Sequence, residues 1–313
     1  MPKIYQVSFR QARSGGDIDT DKARLQGQQL RGQVHLILLI HGYNNDAHDA
    51  DDAYGAFCKR QQALVGAGSD WAPGAALVEI YWPGDARWSI ASPLYYPWAI
   101  PRALEIGSTL AAILADAAQH SGQPLVVDFV AHSLGNRVLL HTVAGLSPAA
   151  NIWVRRTVHM AGAVPTWTLG TGARTEPLYN SLLRECTEPS RATSFYSGND
   201  MVLALAFPPG ETAADTYDHE IPVALGHTEW PGGDAVRLAQ FQAPGAGHSN
   251  YWGAKIKNKD LDKFLATTIN NSLDLGNSSS RSTPTSLSVT RDLPDERSTL
   301  DRTLDDRGIG PQG

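Results

Sequence analysis

The chain has 313 residues, 42% of them hydrophobic, with 8 Trp and 10 Tyr, enough to bury one large α/β core or two small ones. A formal charge of −6, with no basic patch interleaved with aromatics, excludes nucleic acid as the main partner, because phosphate binding needs clustered Lys and Arg. Two cysteines, Cys58 and Cys186, exclude a disulfide framework, and no apolar run nears the roughly 20 residues that span a bilayer.

Met1 to Phe9 alternate apolar and polar residues and lack the apolar centre of a signal peptide. The expectation is a cytoplasmic protein without a transmembrane segment, with signal-independent export left open.

In chain order, residues 4–10 read as a first strand, followed by a polar connection from Ser14 to Gln33. Val34 to Ile40 is a nearly continuous apolar run, as expected of a strand covered on both faces. A helix is predicted from about Ala50 to Val65, then a strand from Ala76 to Trp82 stopped by Pro83-Gly84. Residues 83–101, rich in Pro, Trp and Tyr, fit no helical or strand period. The helical pattern begins at Ala103 and runs to His120. Leu125 to Val130 is the next strand, with a helix after Gly135 and a further strand over Val154–Met160. Residues 162–190 are loop-rich with some helix, Ala192 to Ser197 is a short strand, and a last helix follows the loop around His248.

Strands alternating with helices predict an α/β fold, a mainly parallel central sheet with helices on both faces. From Gly276 the composition turns to Ser, Thr, Asp and Arg, too little apolar surface to offset ordering entropy. The predicted organisation is a globular domain over 1–275 and a disordered polar tail over 276–313, for which the sequence names no partner. No internal repeats occur.

The most informative segment is Ala131-His132-Ser133-Leu134-Gly135, directly after the apolar run ending at Val130. Strand, small-His-Ser-x-small, then helix is the sequence form of a nucleophile elbow, with Ala131 in place of the usual first glycine. A serine hydroxyl is a poor nucleophile at neutral pH, so it needs a base, a group to orient that base, and oxyanion donors. On such an elbow the acid and then the histidine follow the serine in chain order. His141 sits on the helix leaving the elbow and is set aside, and His159 lies inside a strand as a buried, satisfied residue.

The acid is assigned to Asp200, just past the strand ending at Ser197 and so at the sheet's carboxyl edge. Asp200 also suits a cap for the segment starting at Met201, and one carboxylate can do both jobs. Asp215, Asp218 and Glu220 are the fallback acids. The base is assigned to His248 in Gly245-Ala246-Gly247-His248-Ser249-Asn250, with His227 as its alternative. The oxyanion donors are the backbone N–H groups of Leu134 and of Tyr43 in Ile40-His41-Gly42-Tyr43-Asn44, where His41 is structural.

These segments, with Tyr81-Trp82-Pro83-Gly84, resemble the alpha/beta-hydrolase superfamily, most nearly its bacterial esterase- and lipase-like branch, over about Val34 to Leu265. The resemblance implies a Ser133–His248–Asp200 triad cleaving a carboxylic ester through an acyl-enzyme, without a cofactor. An acyl-ester substrate, including a lipid, fits it. Two rival readings stay open: a catalytically silent binding protein on the same fold, and an acyltransferase using the same triad.

Four aromatics, Trp82, Trp88, Tyr96 and Trp167, are expected to line a substrate pocket, because insertions at the carboxyl edge shape such sites. The acidic run Asn45 to Asp52 lacks the spacing and glycine of a calcium loop and reads as a helix start, so no metal is expected. Asp128, inside the elbow strand, is read as a supporting residue that needs a partner.

Overall fold

The computed structural model describes residues 2–12, 16–43, 45–84, 92–147, 150–166, 192–214, 222–230 and 238–275. Among these, seven strands form a single sheet: β1 (Lys3–Ser8), β2 (His35–Ile40), β3 (Ala76–Tyr81), β4 (Leu125–His132), β5 (Ile152–Met160), β6 (Ala192–Tyr196) and β7 (Leu238–Gln242). Their spatial order is β1-β3-β2-β4-β5-β6-β7, and every adjacent pair is parallel. The sheet is therefore wholly parallel, where the sequence predicted mainly parallel.

Its centre follows from composition. All six residues of β2, His-Leu-Ile-Leu-Leu-Ile, are buried, as are all six of β3, because helices cover both faces. The edge strands differ: β1 alternates exposed and buried positions, and only Leu238 of β7 is buried.

Helices α1 (Thr20–Gly27), α2 (Ala47–Val65), α3 (Ser92–Gln119) and α4 (Gly135–Gly145) lie in the first part of the chain. Beyond β6 come α5 (Met201–Leu205), α6 (Phe207–Ala214) and, after β7, α7 (Lys259–Leu273). The acidic run is indeed a helix start: Asp46 caps α2, accepting from the backbone N–H groups of His48 and Asp49. α3 and α4 pack closely at Gly107, where a Cβ would lie 2.5 Å from the His141 Cβ.

Two elements depart from expectation. α3 begins at Ser92 rather than Ala103 and carries Pro97 and Pro101 inside it. Proline removes a helical hydrogen bond, yet the buried stripe Ala99, Ile100, Ala103 and Ile106 runs on through these positions, so packing overrides the local breakers. β7 is the second departure, since Leu-Ala-Gln-Phe-Gln has the weak pattern of a half-exposed edge strand. It is held by parallel pairing to β6 and by Phe241 stacking on Phe195 at 5.8 Å.

Asp128 has the partners that burial demands. Its carboxylate accepts from His35 Nε2 at 2.8 Å and Arg155 Nε at 3.0 Å. Burial alone would raise its pKa, but the hydrogen bonds from His35 and Arg155 outweigh it and hold the carboxyl below its ordinary value. Among the described residues, no helix is long and apolar enough to cross a membrane. The proposed tail, 276–313, lies outside them.

Candidate active site

The carboxyl ends of β2, β4 and β6 assemble the site. At the end of β4, Ser133 adopts φ of 53°, a left-handed conformation that costs energy for a residue with a Cβ. Its backbone is held on both sides. The N–H donates to the Met160 carbonyl at 3.0 Å. The carbonyl oxygen accepts from Asn136 N at 3.1 Å, Asn136 Nδ2 at 2.9 Å and Ala163 N at 3.1 Å.

The Asn136 carboxamide is oriented in turn. Its Nδ2 faces the Ser133 carbonyl, so Oδ1 faces His159 Nδ1 at 2.8 Å and accepts its proton. Burial pushes the His159 pKa down to about 4, which keeps the ring neutral. The sequence marked His159 as buried and satisfied, and it is. Asn136 carried no expectation of a role, because the burial of its amide and the left-handed serine that it holds are visible only in the fold.

Facing the elbow is the loop after β2. A Cβ on Gly42 would lie 2.6 Å from the Ser133 Cβ, and a Cβ on Gly135 would lie 2.4 Å from the His41 carbonyl oxygen. Gly42 thus faces the Ser133 and His132 side chains and Gly135 faces the backbone carbonyls of Ile40 and His41, and neither position has room for a side chain. Tyr43 follows Gly42 directly, half-buried in a turn. Leu134, the N-cap of α4, presents an N–H at a helix start, where no intrahelical acceptor exists.

The loop is tied from beneath. His41 Nδ1–H donates to the Gly42 carbonyl at 2.8 Å, while Nε2 accepts from the Trp82 N–H at 3.2 Å. The Trp82 indole N–H donates to the His41 carbonyl at 2.8 Å, and the two rings stack at 5.6 Å. The Tyr54 hydroxyl accepts from His41 N and donates to the Ile80 carbonyl. Arg10 Nη2 donates to the Asn45 carbonyl. Burial, then the Arg10 charge, pushes the His41 pKa down to about 3, consistent with a neutral ring that accepts at Nε2. The structural role expected for His41 has its partners here.

Trp82 requires a correction. It was expected to line a substrate pocket, but its exposure is 0% and it serves as the floor of the His41 loop. Trp88 and Trp167 lie outside the described residues, as does the side chain of Tyr96, although its backbone belongs to α3.

Across from Ser133, the segment 245–253 carries His248. Its Nε2 lies 2.9 Å from Ser133 Oγ and its Nδ1 lies 2.8 Å from Asp200 Oδ2. Asp200 is fully buried and engaged a second time, since Oδ1 accepts from Leu203 N at 3.1 Å and so caps α5. The three side chains named from the sequence thus stand in one hydrogen-bonded line, spanning 115 residues between serine and histidine. His227 Nδ1, by contrast, is buried without a hydrogen-bond partner among the described residues. The fallback acids Asp215, Asp218 and Glu220 lie outside them.

Such a line can move a proton from the hydroxyl to an oriented imidazole. Among the described residues, no cluster of three or more His, Cys, Asp or Glu is placed to hold a metal ion.

No protein-family model and no curated protein matches the sequence. Solved structures similar to it include an uncharacterized protein from Bacillus cereus ATCC 10987, 14% identical, TM-score 0.41, matched over 77% of this chain and 60% of that one. The chain thus spans 60% of the length of that protein. A poly(3-hydroxybutyrate) depolymerase, LpqC from Bordetella parapertussis, is 13% identical with TM-score 0.40 over 77% of this chain and 78% of its own. A thermophilic esterase from Thermogutta terrifontis is 13% identical with TM-score 0.37, over 79% of this chain and 84% of its own.

Proposed function

We propose, for this chain of alpha/beta-hydrolase fold, a serine hydrolase activity that cleaves a carboxylic ester through an acyl-enzyme on Ser133. The observation that carries the reading is the line Ser133 Oγ–His248–Asp200, with contacts of 2.9 and 2.8 Å.

His248 Nε2 takes the Ser133 proton as Oγ attacks the ester carbonyl. Asp200 Oδ2 accepts the Nδ1–H of His248, fixing the tautomer whose Nε2 is free to act as base and stabilising the imidazolium that forms. The Tyr43 and Leu134 N–H groups receive the negative charge that develops on the carbonyl oxygen. Collapse of the tetrahedral adduct breaks the ester C–O bond, and His248 Nε2–H protonates the departing alkoxide. Water then enters, loses its proton to His248, attacks the acyl carbon and releases the acid, returning the proton to Ser133 Oγ.

The buried, neutral His41 beneath the oxyanion loop supports this assignment, because it orders that loop without adding charge. A lipid or other acyl ester is the substrate class. Fluorophosphonate labelling and hydrolysis of acyl esters of graded chain length test the proposal. Wild type labels on Ser133 and hydrolyses at least one member of the panel, and Ser133→Ala does neither. A folded wild type that fails both measurements overturns it.

A further inference from the structure

The residue before the nucleophile has no part in the proton relay, yet it is fixed to the base. His132 is buried at the end of β4, and its Nε2 lies 2.7 Å from the backbone carbonyl of His248. A carbonyl accepts only, so Nε2 carries the proton. Nδ1 is then a lone pair, buried and without a hydrogen-bond partner among the described residues, beside Gly42, where a Cβ would lie 2.8 Å away. An orphaned buried acceptor is unfavourable, and a phenyl ring would fill the same space without it. The imidazole is therefore accounted for by the one bond it makes.

We infer that His132 is a positioning residue for the base, its Nε2–H anchoring the His248 backbone so that the imidazole reaches the Ser133 hydroxyl. This rests on the Ser133–His248 reading proposed above. His132 and Ser133 are chain neighbours, and each bonds to the same distant residue, one to its backbone and one to its ring. The result is a closed ring of contacts across the elbow and the 245–253 loop, in which His248 is held at both ends. The His132 ring also packs against His248 at 4.9 Å, Tyr251 at 6.0 Å and Trp252 at 6.3 Å, which fixes the ring plane. Burial, then the neighbouring His248, pushes its pKa down to about 3, so His132 stays neutral and does not oppose the imidazolium formed beside it.

A role in packing alone makes a different forecast, and two variants separate them. His132→Phe keeps a ring but removes the donor, whereas His132→Gln loses the ring but keeps an N–H of similar reach. The rate of fluorophosphonate labelling and the steady-state constants are measured for each, beside the thermal midpoint. His132→Phe is expected to lower labelling and kcat about 10- to 100-fold, with KM within about two-fold, because misplacing a reacting group acts on the transition state. His132→Gln is expected to recover most of that loss. Phe labelling at the wild-type rate, or Gln no better than Phe, overturns the inference while leaving the hydrolase reading intact. A wild type that does not label removes both. Where a variant fails to fold, nitrogen-15 NMR of the wild-type imidazoles decides: His132 as the neutral Nε2–H tautomer supports the anchor, and the Nδ1–H tautomer ends it.

Discussion

Ser133 keeps its φ of 53° because three hydrogen bonds converge on its carbonyl oxygen, two of them from Asn136. Asn136→Leu removes the side-chain bond and leaves the buried His159 Nδ1–H without its acceptor. The expected cost is about 1–3 kcal/mol in unfolding free energy, read by urea denaturation, together with slower labelling of Ser133. Unchanged stability and labelling would show that the remaining two backbone bonds hold the elbow unaided. The serine itself was legible in the sequence because its constraint is local, a strand, a tight turn and small flanking residues. The partners of Asn136 and His132 were not, since they lie 23 and 116 residues away and meet them only through the order of the strands.

At the scale of elements, the site exists because the end of β2 and the start of α4 touch without intervening side chains. Gly42→Ala would place a Cβ 2.6 Å from the Ser133 Cβ and 2.8 Å from His132 Nδ1. Neither neighbour is the free end of a flexible side chain, so the loop after β2 must shift. Loss of one aligned oxyanion donor predicts a fall in kcat of about 10²–10³, with KM little changed, measured on the ester that wild type turns over. Full kcat in the Gly42→Ala variant would remove Tyr43 N–H from the proposed oxyanion site. The motif His-Gly-Tyr was readable in the sequence, as were β2, from its continuous apolar run, and α2. The first turns of α3 were not, because Pro97 and Pro101 read locally as breakers while the stripe that retains them is tertiary. Trp82 misled for a related reason: an aromatic near a strand end looks the same in sequence whether it faces a substrate or a histidine backbone.

For the molecule as a whole, three buried histidines among the described residues stay neutral: His41 and His132 with pKa pushed down to about 3, and His159 to about 4, burial being the main cause of each. The unfolded chain protonates these rings near pH 6.5, so below that value it binds more protons than the native state. Stability is therefore complete above pH 6.5 and falls as pH drops through the window from 6.5 toward 3–4, by up to about 1.4 kcal/mol per pH unit for each ring. Asp128 adds to the loss at lower pH, since its depressed carboxyl contributes stability above its unfolded pKa that disappears as pH falls through the folded one. Urea midpoints at pH 7, 6 and 5 should decline in that order, and a flat profile would mean that the rings titrate normally in the native state.

The double engagement of Asp200 has a mechanical meaning. With Oδ2 on the imidazole and Oδ1 on the first turn of α5, the carboxylate cannot rotate about its last torsion without breaking one contact. α5 is five residues long, and so short a helix frays readily once its first turn loosens. The orientation of the His248 imidazole is accordingly as durable as that single turn of backbone.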